Sequence, residues 1–118
     1  TTDHLAVFLD NTEVSASITV SRHGVAAAEA AGAAAADHRS RFPSYCMDHE
    51  SVSPNAVYRR FRWRRDDGAG IVQHQLFVDG LVVTCSRNED QVGLDRLFGQ
   101  VIQSFRIRTE GILQIEES

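Results

Sequence analysis

"IVQHQLFVDGLVVTCS", residues 71–86, decides the fold. Two runs rich in β-branched and aromatic residues flank Asp79-Gly80. That dipeptide is favoured in two-residue hairpin loops, so the spacing predicts a type I′ turn. Pairing away from the turn sets Val78 opposite Leu81, Leu76 opposite Val83 and His74 opposite Cys85, on a nearly apolar face. The other face pairs Phe77 with Val82, Gln75 with Thr84 and Gln73 with Ser86, with Ile71 beyond. It mixes apolar side chains with uncharged hydrogen-bonding groups.

Upstream, "VYRRFRWRR" (57–65) alternates. Val57, Phe61 and Trp63 point one way with Arg59 among them; Tyr58, Arg60, Arg62 and Arg64 point the other. Phe61 and Trp63 are predicted core. "SPNA" (53–56) suits a type I turn, "DDGAG" (66–70) is a turn, and "YCMDHESV" (45–52) reads as a strand. Nearer the start, "LAVFL" (5–9) and "SASITVSR" (15–22) form an antiparallel hairpin. Residues 24–42 are dominated by Ala, the best helix former, and Pro43 ends that helix. Its smooth surface admits close approach by a partner, although composition bias and helix propensity are the preferred explanation. Downstream, Leu94, Leu97, Phe98, Val101, Ile102 and Phe105 recur at helical spacing across 88–105, with Asn88 as the expected N-cap. The apolar face of the 71–86 hairpin is the natural seat of this helix. "IRTEGILQIEES" adds a short strand or an acidic tail.

The expected architecture is α+β, one domain over 1–118: an antiparallel sheet of about five to six strands packed with two main helices. No apolar run approaches the ~20 residues of a membrane span. The sequence starts at Thr1 without a Met, which leaves open an N-terminal piece that was processed, cut away or left unordered. All twelve basic residues are Arg, yet the net charge is −4. A global attraction to nucleic acid is therefore not expected. Arg60, Arg62 and Arg64 form a basic row, but Phe61 and Trp63 point away and cannot stack bases beside it.

The five histidines form no metal-ligand spacing, and His74 reads as a satisfied core residue. Nucleophile elbows and phosphate loops are missing, so neither an enzyme nor a cofactor is expected. Cys46 and Cys85 read as a reduced buried pair, or as a disulfide in an oxidising compartment.

The linked series "FRW" strand, "DG" turn and "QxQ" strand in 57–78, "LVVTCS", "FGQVIQSFRI" and "VSASITVSRHG" resembles the DcrB-like family, over about residues 5–108. Within it, the chain is most similar to the Eag-type chaperones of type VI secretion. The resemblance implies a PsbP-like α/β sandwich and a non-enzymatic, homodimeric, cytoplasmic adaptor. Such a chaperone shields the N-terminal transmembrane helices of a toxic effector. Ile18 and Val20, with Gln73 or Gln75, match the family's client-contacting positions. Arg59 stands where the family carries an apolar residue. Other members are envelope proteins or lipoproteins, so an envelope-associated or periplasmic domain with no helical client is the alternative.

The expected partner-binding set is thus Ile18, Val20, Ile71, Gln73, Gln75, Phe77, Val82 and Thr84, with Arg60, Arg62 and Arg64 as a basic rim. Burial by the apolar groups and hydrogen bonding by the amides and hydroxyls suit an apolar, transmembrane-type helix. The alternative is that a second helix covers this face and the glutamines satisfy loops.

Overall fold

The computed structural model describes residues 4–11 and 14–105, with side chains from Ala16 onward. Strands β1 (His4–Asn11) and β2 (Val14–Arg22) precede helix α1 (Ala27–Arg41). Strands β3 (Cys46–Ser53), β4 (Ala56–Arg64), β5 (Gly70–Val78) and β6 (Leu81–Asn88) follow. A 3₁₀ turn, Val92–Leu94, leads into helix α2, residues 95–105. The six strands form one sheet in the order β1-β2-β6-β5-β4-β3, with every neighbouring pair antiparallel. The α+β architecture expected from the sequence is therefore present. No helix among the described residues is long and apolar enough to cross a membrane. The last stretch read from the sequence, 107–118, lies outside the described residues.

The 71–86 hairpin has the predicted register, Val78↔Leu81 through Gln73↔Ser86. Its turn differs. Gly80 alone has positive φ, +86°, whereas a type I′ turn needs φ > 0 at both central residues. A left-handed second central residue is the type II arrangement. The tip is tied down by tertiary contacts. Asp79 Oδ1 accepts the Ala27 N–H at 3.0 Å, and the Gly80 carbonyl accepts the His23 N–H at 3.0 Å. Asp79 thereby caps α1 from far along the chain, where the helix's own N-cap residue, Ala26, offers no side-chain acceptor.

The alternation in each strand sorts side chains onto two faces. On one, Leu76, Val78, Val83 and Cys85 pack with Phe98 and Ile102 of α2. Ala16, Ile18, Val20 and Tyr58 complete this larger core. Each fully buried side chain of this size contributes roughly 1.5–3 kcal/mol. On the other face, Val57 and Phe77 pack against Ala27 and Ala31 of α1, with Val82 alongside.

Helix α2 begins later than predicted because Asn88 is still paired in the sheet, opposite Ile71. Its N–H bonds to the Gln91 Oε1, and Gln91 starts the 3₁₀ turn. Asn88 is therefore not the N-cap. Cys46 is exposed on β3 and Cys85 buried on β6, both as free thiols, so they are neither a buried pair nor a disulfide.

Candidate binding face

The face under α1 carries the mixed polar and apolar positions. Arg59 is fully buried there, paired in register with Gln75. Its Nε donates to Gln75 Oε1 at 2.9 Å, Nη1 to the Tyr45 hydroxyl at 3.4 Å and Nη2 to His38 Nδ1 at 2.6 Å. The Phe61 ring lies 4.3 Å from the guanidinium carbon. A cation over an aromatic face is stabilised by the ring quadrupole. This explains how a charged residue occupies an apolar position. The first cause acting on His38 is burial, the second the Arg59 charge; both hold its pKa below the usual range.

Gln75 Nε2 passes the chain on to Thr84 Oγ1 at 3.1 Å, and Trp63 Nε1 donates to Gln73 Oε1 at 2.9 Å. The glutamines bond to side chains of neighbouring strands and not to loops. Phe42, just past α1, stacks on Trp63 with ring centroids 4.0 Å apart. Trp63 is half-buried rather than core, whereas Phe61 is fully buried.

Helix α1 crosses β4 and β5, so it covers only part of this face. Towards β2, Ser17 pairs with Ser86, Thr19 with Thr84 and Ser21 with Val82, and all six are half-buried. A cleft of about 260 Å³ opens here, lined by Ser17, Trp63, Arg65, Ile71, Ser86 and Asn88. Unlike Thr84 and Ser86, the hydroxyls of Ser17, Thr19 and Ser21 were legible as one face of a strand but were not expected at the site. Only the pairing of β2 with β6 places them there.

The expected partner-binding set is divided by the structure. Gln73, Gln75, Thr84, Ile71, Phe77 and Val82 share the α1 face, with Phe77 and Val82 packed beside the helix. Ile71, Gln75 and Phe77 are buried. Ile18 and Val20 lie on the opposite face, against the α2 core. They cannot join the glutamines in one patch. The reason is register: Ile18 pairs with Cys85 and Val20 with Val83, both apolar-face residues.

The arginine row also lies on the α2 side, since Arg60 pairs with His74 and Arg62 with Val72. It does not rim the glutamine face. Arg62 sits 3.6 Å from Asp48 and Arg64 3.5 Å from Glu89, both exposed pairs worth little by themselves. Arg65 is the arginine that lines the cleft.

On that α2 side, His74 is buried between Tyr58 and Asp95. A carboxylate only accepts, so His74 Nε2–H donates to Asp95 Oδ1 at 3.0 Å and Nδ1 accepts the Tyr58 O–H at 2.8 Å. Arg87 grips the same carboxylate with two bonds, of 2.7 and 3.1 Å. Burial would raise the Asp95 pKa, but the bonds from Arg87 and His74 outweigh it and hold it low. Burial lowers that of His74. The network pins the first turn of α2 to the sheet. Among the described residues, no group of three or more His, Cys, Asp or Glu could hold a metal ion.

Comparison with protein-family models, with curated proteins and with solved structures finds no match to the chain.

Proposed function

We propose that this chain is a non-enzymatic binding module, a chaperone or adaptor that shields an apolar helix of a protein client. The helix lies on the uncovered half of the α1 face. One observation carries the reading: Ser17, Thr19, Ser86 and Thr84 form a half-buried terrace beside Ile71 and Trp63. Small hydroxyl side chains let a helix backbone approach closely and offer hydrogen bonds to its polar groups. Ile71 is already buried, so the half-buried Trp63 supplies the apolar surface. The resemblance to Eag-type chaperones supplies the client class, the transmembrane helices of a type VI secretion effector. A homodimer and a cytoplasmic location belong to the same proposal.

The test uses a fluorescent 20-residue Leu/Ala helix kept soluble by mild detergent. Saturable anisotropy binding is expected, with Thr19→Arg and Ser86→Arg weakening it at least tenfold and Arg62→Gln, on the opposite face, leaving it unchanged. Equal binding by all three variants overturns the terrace as the site. Absence of binding by the wild type favours an envelope-associated domain without a helical client.

A further inference from the structure

On the other flank of α1, towards β3, lies a second groove of about 440 Å³. That volume falls within the range of small-molecule sites. One wall is the smooth side of α1, where Ala28, Gly32 and Ala35 present almost no side chain. The other wall is β3, whose side chains are all exposed, including Met47 and the 64 % exposed Val52. From Ala28 to Arg39 the helix extends about 16 Å at its usual rise, so the groove is long and apolar.

Its ends differ. At the start of α1, Val52 is paired with Val57, which packs on Ala27 and Ala31. At the far end stand Arg39 and Tyr45, both lining the groove. Tyr45 stacks on His38 and accepts a hydrogen bond from buried Arg59, so its own O–H remains to donate into the groove. Arg39 is exposed, and among the described residues no ion pair or hydrogen bond holds it. Among the described residues Arg59 has no carboxylate within bonding distance; its three partners there are an amide, a phenol and an imidazole. Glu50, opposite Arg59 in register and exposed on the rim, offsets one of the two cations. Glu50 acts on the buried Arg59, so among the described residues Arg39 is the lining cation left without a carboxylate at the Tyr45 end.

We propose that this groove binds a long-chain carboxylate, with its alkyl chain between α1 and β3 and its head group at Arg39 and Tyr45. The charge surplus distinguishes this occupant from a neutral apolar segment, which would leave Arg39 and the Tyr45 hydroxyl unused. The site is separate from the terrace and stands or falls independently of the client-helix reading.

Calorimetric titration of the full chain with dodecanoate, dodecanol and acetate, below micellar concentrations, tests it. Dodecanoate is expected to saturate at one per chain, with dodecanol at least tenfold weaker and acetate silent. Gly32→Leu fills the groove, and its new Cβ meets nothing within 4 Å, so the helix accommodates it. Gly32→Leu and Arg39→Gln should each weaken dodecanoate at least tenfold, and Arg62→Gln should not. Val52→Asp, on an exposed strand position, places a repelling charge in the groove and gives the same loss should Gly32→Leu perturb folding. Dodecanol binding as tightly as dodecanoate, or all variants binding alike, overturns the proposal. So does displacement of dodecanoate by the Leu/Ala helix, or a dimer that Gly32→Leu dissociates, since the groove would then belong to a protein partner.

Discussion

Arg59 and His38 meet at 2.6 Å between Nη2 and Nδ1, joining the middle of strand β4 to the last turn of α1. The imidazole accepts this bond, so it is neutral, and the contact lasts only while it stays so. The helix that partly roofs the binding face is thus fastened by a buried cation.

Removing that cation strands its partners. In Arg59→Met the Gln75 Oε1 loses its donor while remaining buried, at a cost of roughly 1–3 kcal/mol. The double variant Arg59→Met/Gln75→Leu should recover part of the loss, because a well-packed apolar pair carries no desolvation penalty. Urea unfolding of the two variants checks this; a double variant less stable than the single one contradicts it.

Acidification should loosen the fold in a defined window. His38 and His74 both have folded-state pKa values below 6.5, with burial as the main cause. The unfolded chain therefore takes up protons first. The stability contribution of each is complete above 6.5 and is lost as pH falls from there to the lowered value. Asp95, also lowered, adds a second loss below 3.8. Melting temperatures across pH 8 to 4 should be flat above 7 and fall below it, with a shallower fall in His38→Gln.

Cutting the carboxylate at the start of α2 exposes a different weakness. Asp95→Ala leaves the Arg87 side chain, only 5 % exposed, without its counter-ion. Breaking a buried pair costs about 3–5 kcal/mol, and the partial exposure of Asp95 places this one near the lower end. Asp95→Ala/Arg87→Met should be more stable than Asp95→Ala in the same urea assay.

A milder loss is expected at the hairpin tip. Asp79→Ala removes the acceptor for Ala27 N–H, a cap worth roughly 0.5–2 kcal/mol. Asp79→Asn keeps an oxygen there and should retain most of it. Hydrogen exchange should quicken at the start of α1 in Asp79→Ala and leave α2 unchanged.

The two thiols should separate cleanly in a labelling experiment. Cys46 is exposed, while Cys85 is buried and its pKa is pushed up to about 12. Maleimide should attach one label to the folded chain, at Cys46, and a second only after denaturation, since the thiolate is the reactive form.

Much of this architecture is local and so was legible. The 71–86 hairpin and the 57–65 strand follow from alternation and turn residues, and α2 settles on the predicted apolar face. The candidate site is not local. Whether Ile18 or Thr19 shares a face with Gln75 depends on how β2 docks on β6, and a one-residue slip would exchange them. The crossing position of α1 decides which half of the face stays open, and an Ala-rich helix has no strong apolar stripe to announce it. Arg59 was conspicuous in an apolar row, but its partners come from α1, the following loop and β5. Pairwise chemistry of that kind leaves no periodic signal.

The partnership of β2 with β6 also dictates an order of events. Strands β3 to β6 are joined by short turns and assemble from near neighbours, while Ile18 must find Cys85 across most of the chain. Closing that long loop is entropically slow compared with forming hairpins. During the interval β6 is an uncovered sheet edge, open to pairing with other chains. A newly made chain is thus most prone to aggregate before its N-terminal hairpin docks.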